Sequence, residues 1–218
     1  MTLQASQLAL TRVNSPIFKG LGFELGPGEA LRVAGRNGSG KTSLLRVLCG
    51  LLSPTEGQVL WRGRSIRRHR EAFLQDLVYI GHGQGLKDDL SALENVQISA
   101  RLSGQPHSRA DVLAALAQLG LSSRAHWPVR ALSQGQRRRV ALARLALAPR
   151  AGAGGRLLVL DEPFVALDQD AVSGLSALLT QQLAGGDALV YTTHQTPPLM
   201  ARQTHELHLG DGDLIEAL

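Results

Sequence analysis

The chain of 218 residues is 44% hydrophobic and 19% charged, enough apolar material for one compact α/β unit with a real core. No uninterrupted apolar run approaches the ~20 residues of a bilayer span, and no basic stretch followed by an apolar core opens the sequence, so neither a spanning segment nor a secretory signal is expected. The net charge of +5 rests almost wholly on arginine, with Lys19, Lys41 and Lys87 as the lysines, and favours anionic partners: nucleotides, nucleic acid or a phospholipid surface. Cys49 stands alone, so an internal disulfide is excluded and a reducing compartment is expected. Among Val47, Leu48 and Leu51 it reads as a small buried hydrophobe.

From the N-terminus, Leu3 to Leu10 alternates loosely and is predicted as a strand, and Phe18 to Leu25 as a second. Gly26-Pro27-Gly28-Glu29 is a turn. Ala30-Leu31-Arg32-Val33-Ala34 reads as a third strand, entering Gly35-Arg36-Asn37-Gly38-Ser39-Gly40-Lys41-Thr42. That octapeptide fits G-x-x-x-x-G-K-[ST], the phosphate-cradling P-loop. Its glycines let successive backbone N–H groups turn inward toward phosphate oxygens. The helix predicted from Thr42 to Leu48 adds the positive end of its dipole. Lys41 supplies a mobile charge for the β- and γ-phosphates, and the Thr42 hydroxyl a ligand for Mg²⁺. The four fixed positions match by chance at roughly one site in 10⁴–10⁵, and the flanking strand and helix tighten the reading.

Gly57 to Trp61 is predicted as a strand after the turn residues Ser53-Pro54-Thr55-Glu56, which makes the N-terminal part a β-rich layer beside the nucleotide. Arg62, Arg64, Arg67, Arg68 and Arg70, with His69, form a basic run, read as a solvated face or as a contact with phosphate or lipid headgroups. No aromatic platform interleaves it of the kind that single-strand nucleic-acid binders use, and Trp61 is expected to pack. Leu77-Val78-Tyr79-Ile80 reads as a short buried strand ending at the polar loop Gly81-His82-Gly83-Gln84-Gly85. Helical patterns occupy Ala92 to Leu102 and Ala110 to Leu119, punctuated by Gly104-Gln105-Pro106 and Gly120. A helical subdomain is therefore expected over about 90–130 of a single domain spanning 1–218, with the core over 1–89 and 131–218.

Ser133, a favoured N-cap, precedes a helix predicted from Gln134 to Leu147 and stopped by Pro149 and Gly152 to Gly155. Leu157-Leu158-Val159-Leu160 is apolar throughout, as a central parallel strand should be. A helix over Ala171 to Leu183 and a buried strand over Ala188 to Tyr191 follow. The tail, Glu206 to Leu209 and Asp213 to Ile215 around Gly210-Asp211-Gly212, reads as a hairpin. Its His205 and His208 have an H-x-x-H spacing without further ligands, and an ordinary edge strand explains them.

Three apolar strands end in polar residues: at Gly35, at Asp161-Glu162 and at Thr192-Thr193-His194. Ligands of open α/β sheets sit at such carboxyl ends, so these should surround one phosphate site. Asp161 is placed to hold Mg²⁺ through water. Glu162, one residue further, can orient and partly deprotonate a water that attacks the γ-phosphate. His194 is placed to contact that phosphate and fix the water.

Leu132-Ser133-Gln134-Gly135-Gln136 resembles the L-S-G-G-Q signature of ABC ATPases, with Gln134 in place of the first glycine. Read alone, a serine and a glycine at a helix N-terminus make an anion site. With the P-loop, the strand ending in Asp161-Glu162, Ala166-Leu167-Asp168 and His194, five motifs stand in the ABC order. The resemblance implies an α/β P-loop NTPase with a RecA-like core, an N-terminal antiparallel β layer and a helical subdomain. It implies ATP and Mg²⁺ as ligands, with Gly35 through Thr42 and the adjoining Ser43 around the phosphates and Lys41, Glu162 and His194 in catalysis. It further implies a head-to-tail homodimer in which Ser133, Gly135 and Gln136 face the γ-phosphate held by the other subunit, and Asp168 links the two sites. In the loop where most relatives carry a glutamine, His82 takes that place with Gln84 nearby. Where many relatives stack the adenine on an aromatic, Arg12-Val13-Asn14 offers only the Arg12 guanidinium plane.

Within ABC ATPases the sequence resembles the ATP-binding subunits of cytochrome c maturation, often called haem exporter ATPases. Tyr79-Ile80-Gly81-His82, Gly85-Leu86-Lys87, Leu90 through Asn95, Val129 through Ser133, Gln136 through Arg144 and Thr193-His194-Gln195 carry this resemblance. It implies a peripheral subunit on the cytoplasmic face of a bacterial inner membrane, docked to an integral membrane permease with further cytochrome c maturation proteins nearby, and no nucleic-acid partner. An ABC transporter ATPase for another cargo remains open at this stage. A soluble ABC protein of ribosomes or DNA would usually carry a second ATPase domain or a long coiled-coil insertion. Glu162 argues against a regulator that does not hydrolyse.

Overall fold

Two sheets of opposite character organise the computed structural model, which describes residues 2–13, 15–104, 106–147, 155–194 and 197–210 and the backbone of Leu214 and Ile215. Asn14, Gln105, Pro149, Gly152 to Gly154, Gln195 and the hairpin turn at Asp211-Gly212-Asp213 lie outside the described residues. Strands β1 (Leu3–Arg12), β2 (Ser15–Leu25), β4 (Glu56–Trp61) and β5 (Arg64–Ser65) form an antiparallel sheet in the order β2-β1-β4-β5. Strands β3 (Glu29–Gly35), β6 (Leu77–Ile80), β7 (Leu157–Leu160), β8 (Ala188–Thr192), β9 (Gln203–Leu209) and β10 (Leu214–Ile215) form the second, in the order β10-β9-β3-β8-β7-β6. Its pairings are parallel except for the terminal β9–β10 hairpin.

The apolar runs follow from burial on both faces of the parallel sheet. Successive side chains point to opposite faces. In β7, Leu158 and Leu160 enter one core while Leu157 and Val159 enter the other. In β8, Leu189 and Tyr191 part in the same way from Ala188 and Val190. The first core holds helices α3 (Ala92–Leu102), α4 (Arg109–Gln118), α5 (Gln134–Leu142) and α6 (Gln169–Ala184). The second holds α1 (Lys41–Leu48), through Leu44, Leu45, Val47 and Leu48, and the antiparallel layer. Cys49 is buried there, which pushes its thiol far above the usual range and leaves it a packing residue.

Helix starts differ in a way that bears on the site. Ser91, Ser108 and Ser133 cap α3, α4 and α5 in reciprocal capping boxes with Glu94, Asp111 and Gln136, and Asp168 caps α6 through the Ala171 N–H. The serine bonds hold the Glu94 and Asp111 carboxyls below their ordinary 4.5 and 3.8. The stabilisation they give is therefore complete above those values and lost as the pH falls below them. α1 alone of these five has no side-chain cap and no acidic residue in its first turn, so its terminal N–H groups stay open.

Two expectations are corrected, and β5 and a further helix join the predicted elements. The helix after Ser133 ends at Leu142, and Ala143–Ala146 tighten into a 3₁₀ turn, a common way for a last turn to satisfy its carbonyls. The basic run keeps Arg62, Arg64, Arg67, Arg68, His69 and Arg70 exposed, as a solvated face would. It contains β5 and the start of a further helix, α2 (Arg70–Asp76), and Phe73 of α2 meets Trp61 edge-on at 6.3 Å. Trp61 is buried and donates its indole N–H to Asp76 at 2.9 Å. Finally, β9 is interior, flanked by β3 and β10, rather than at the edge. An i, i+3 spacing on a strand sends His205 and His208 to opposite faces; they meet Glu29 and Glu206 respectively.

Candidate active site

The carboxyl ends of β3, β7 and β8 converge on one cleft of about 540 Å³. Asn37, Gly38, Gly40, Lys41, Thr42 and Ser43 line it from the loop before α1, and Asp161, Glu162 and His194 from the strand ends. Arg12 of β1, Ile17 of β2, His82 and Val165 complete the lining. The loop turns at Gly40, whose φ is +97° and where an added Cβ would stand 2.2 Å from Ile17 Cγ2. Gly40→Ala is expected to lower stability by about 1–3 kcal/mol through backbone strain and this clash, read as a drop in the urea midpoint at unchanged slope.

Lys41 folds back on the loop, donating from Nζ to the carbonyls of Gly35 (2.8 Å) and Arg36 (3.0 Å). Its ammonium has three donors, so one stays free for an anion. Ser39 Oγ is buried in the same loop without a hydrogen-bond partner among the described residues. Such an orphaned hydroxyl suits an acceptor oxygen brought by a ligand.

Asp161 is buried and receives two hydroxyls, Thr42 at Oδ2 and Thr192 at Oδ1, each at 2.8 Å. The P-loop helix, β7 and β8 are thus tied at one carboxylate. Glu162 follows with a left-handed φ of +51°, a strained conformation for a non-glycine residue. Two bonds hold it: its N–H donates to Thr192 Oγ1 at 2.8 Å, and its carbonyl accepts from Arg138 at 2.9 Å. The resulting turn aims the carboxylate into the cleft, 3.4 Å from His194 Nε2.

Arg138, on α5, is the residue that sequence reasoning did not single out. It is 4% exposed and donates to the carbonyls of Gly81 (3.0 Å), Asp161 (2.6 Å) and Glu162 (2.9 Å). Burial lowers its guanidinium pKa, and Asp161 and Glu162 oppose that shift. The helical spacing gave no signal, because Arg137, Arg138 and Arg139 each lie three and four residues before a pair of buried residues.

The predicted residues are not all in one place. His82 reaches the cleft, whereas Gln84 lines a neighbouring groove of about 450 Å³ and does not. Ser133, Gly135, Gln136 and Asp168 are absent from the cleft lining. Ser133 Oγ accepts from the Gln136 N–H, which leaves its hydroxyl proton free. At Gly135 an added Cβ would stand 2.5 Å from the Ala166 carbonyl, so the glycine lets the turn before Asp168 approach α5.

The sequence profile of the ABC transporter family matches residues 18–165. The cytochrome c biogenesis ATP-binding export protein CcmA 2 of Cupriavidus metallidurans is 47% identical over 196 residues, covering 90% of this chain and 90% of that protein. The CcmA of Dechloromonas aromatica is 45% identical over 208 residues, 95% of this chain and all of that protein. The chain belongs to the ABC transporter family, among the cytochrome c biogenesis ATP-binding export proteins. As an ABC cassette it binds ATP and is an ATPase.

Solved cassettes share the fold. An ATP-binding subunit of an ABC transporter matches all of this chain and 90% of that one with a TM-score of 0.84 at 21% identity. A dimeric cassette in a post-hydrolysis state, bound to ADP and phosphate, matches 99% of this chain and 97% of that one with a TM-score of 0.82 at 22% identity. Both sheets and the helical segment of this ABC cassette therefore follow an architecture found in its neighbours. Among the described residues, no helix is long and apolar enough to cross a membrane.

Proposed function

We propose that this ABC cassette energises haem handling in c-type cytochrome assembly, hydrolysing ATP between two copies of itself beneath a membrane subunit. The observation that carries the hydrolytic part is Glu162, strained into a left-handed turn that presents its carboxylate beside His194 at the mouth of the phosphate cleft. A carboxylate there accepts a proton from water as that water attacks the γ-phosphate, and His194 orients the transferred group. Lys41 and the loop N–H groups from Gly35 to Ser43 neutralise the phosphates.

The donor set of Thr42 hydroxyl and Asp161 carboxylate, 2.8 Å apart, consists of hard oxygens and fits Mg²⁺. When bound, that ion supplies charge neutralisation on the phosphate oxygens. Arg138 acts as a positioning residue by fixing the backbone that carries Asp161 and Glu162. Arg138→Lys keeps the charge but cannot span three carbonyls, so kcat is expected to fall about 10- to 100-fold with little change in KM. A KM that rises in step with the loss would place Arg138 in binding instead.

Ser133 and Gly135 would complete the other copy's pocket, with Asp168 between the two sites and Gln136 holding the cap. The groove beside the cleft, lined by Arg46, Leu51, His82, Asn95, Ser99 and Arg144, would receive the membrane subunit. It shares His82 with the cleft, a route by which docking and phosphate contact are coupled. The domain is read as single, with the helical segment 90–130 as its subdomain, and the subunit as peripheral on the cytoplasmic side of the inner membrane.

The names of the relatives carry the cytochrome c part of this reading. Its test is replacement of the native subunit in a bacterium that makes c-type cytochromes. The chain is expected to restore haem-stained cytochromes, and the Lys41→Ala variant is not. Stable, ATP-hydrolysing chain without cytochromes would contradict the cargo assignment while leaving the ATPase intact.

A further inference from the structure

The arginines of residues 62–70 fall into two groups. Arg62 is used inside the molecule: its guanidinium lies 5.3 Å from the Trp61 ring, 3.4 Å from the Asp76 carboxylate and 2.7 Å from the Gly155 carbonyl. Arg64, Arg67 and Arg68 are exposed and form no ion pair among the described residues. Arg70 donates one N–H to the Gly50 carbonyl at 2.9 Å and is otherwise exposed. Glu71 is the one acidic residue between positions 62 and 71, so the local charge is strongly positive.

Arg67 and Arg70 line a pocket of about 260 Å³, whose walls include Ser53, Ser65 and Leu52 and whose floor includes the buried Ile66. Leu51 and Leu52, which follow α1, are 53% and 37% exposed. Leu51 lines the groove beside His82, and Leu52 lines the arginine pocket. The two depressions therefore share a rim made of apolar side chains and free cations.

We propose that the arginine side of this rim is a docking surface for an anionic lipid bilayer, with Arg67, Arg68 and Arg70 on the headgroup phosphates and Leu52 toward the apolar boundary, Leu51 staying with the groove. The pairing of leucine with arginine is what favours a bilayer. Cationic side chains are drawn to anionic headgroups by charge, and an exposed leucine gains from the acyl boundary. A nucleic-acid strand would use stacking aromatics, which the run lacks. The proposal rests on the transporter reading only in placing the His82 groove toward the membrane subunit. It would hold the cassette in register with that subunit between closures on ATP.

The test is flotation of the full chain, without nucleotide, on vesicles of phosphatidylcholine alone or mixed equally with phosphatidylglycerol. Binding is expected to the anionic vesicles alone and to weaken with added salt. Arg67→Gln with Arg68→Gln is expected to bind roughly 25-fold more weakly, about fivefold per arginine. The corresponding double lysine variant should bind within about twofold of the parent. ATP turnover of both variants should be unchanged, since none of these residues lines the phosphate cleft. Equal binding to neutral vesicles, or undiminished binding of the glutamine variant, would overturn the proposal. So would an absence of vesicle binding combined with weaker capture of the membrane subunit by the glutamine variant, which would assign the surface to a protein. These outcomes leave turnover and cytochrome restoration untouched, so the lipid surface and the cargo reading fail separately.

Discussion

Glu162→Gln is expected to cut ATP turnover by about 10²–10⁴-fold while leaving ATP binding intact. The amide keeps the size and nearly the shape of the carboxylate but cannot take a proton from water at neutral pH. The turn that positions it is made by backbone atoms, the Glu162 N–H to Thr192 and the Glu162 carbonyl to Arg138, which the substitution does not touch. Asp161 likewise keeps its two threonine hydroxyls. The loss should therefore fall on kcat, with KM little changed, as expected when an interaction made in the transition state is removed. Phosphate release measured at saturating ATP reads it directly. Turnover equal to the parent would remove Glu162 from the mechanism.

The largest expected loss of stability lies at the opposite ends of the same strands. Arg156, just before β7, and Asp187, just before β8, are 3% and 4% exposed. Asp187 accepts from the Arg156 backbone N–H (2.6 Å), Nε (3.1 Å) and Nη2 (2.9 Å). Arg156 also donates to the Leu147 carbonyl at 3.1 Å and to Gln182. The backbone around the pair joins in: the Ala188 N–H donates to the Arg156 carbonyl, and the Gly28 N–H to the Asp187 carbonyl. The strands that carry Gly35, Asp161 and Thr192 are thereby aligned from their entry ends.

Which effect wins decides the outcome of mutation here. Desolvation of two charges is costly, and mutual attraction with full hydrogen bonding roughly offsets it, so the intact pair is a weak source of net stability. Removing one partner leaves a buried charge unmatched. Arg156→Met is therefore expected to cost about 3–5 kcal/mol, measured by urea unfolding. Arg156→Met combined with Asp187→Leu should recover part of that loss, because no orphaned carboxylate remains. A single variant within about 0.5 kcal/mol of the parent would show that the pair is solvated rather than buried.

How far the sequence revealed these features depends on what each one constrains. The P-loop was legible because close phosphate approach restricts residue type at Gly35, Gly40, Lys41 and Thr42. Asp161 and Glu162 were legible because a strand buried on both faces must be apolar up to the point where it meets a ligand. The strand order was not. β3 pairs with β8 and β9, more than 150 residues further along, and no local pattern encodes such pairings.

Arg138 was hidden among Arg137 and Arg139, whose types are identical and whose environments differ. The helical spacing to buried residues fits all three alike, and only the tertiary contacts with Gly81, Asp161 and Glu162 turn Arg138 inward. α2 was missed because its N-terminal turn begins within the basic run, where the charges marked a solvated face without a helical apolar stripe; Phe73 and the Asp76 contact with Trp61 supply the tertiary anchors. Gly135 fitted a ligand role by motif, yet its intramolecular neighbour, the Ala166 carbonyl, already requires a glycine there. Where His82 and Gln84 lie needed the loop's path: His82 lines the cleft as well as the neighbouring groove, and Gln84 the groove alone.

The central claim is that two copies close on ATP, each supplying Ser133 to the other's phosphate. The most direct measurement is the solution mass of the Glu162→Gln variant by light scattering, with and without ATP and Mg²⁺. The expected result is a shift from the 23.3 kDa of one chain to twice that mass, abolished by Lys41→Ala. A variant that binds ATP and stays at the mass of one chain would contradict it.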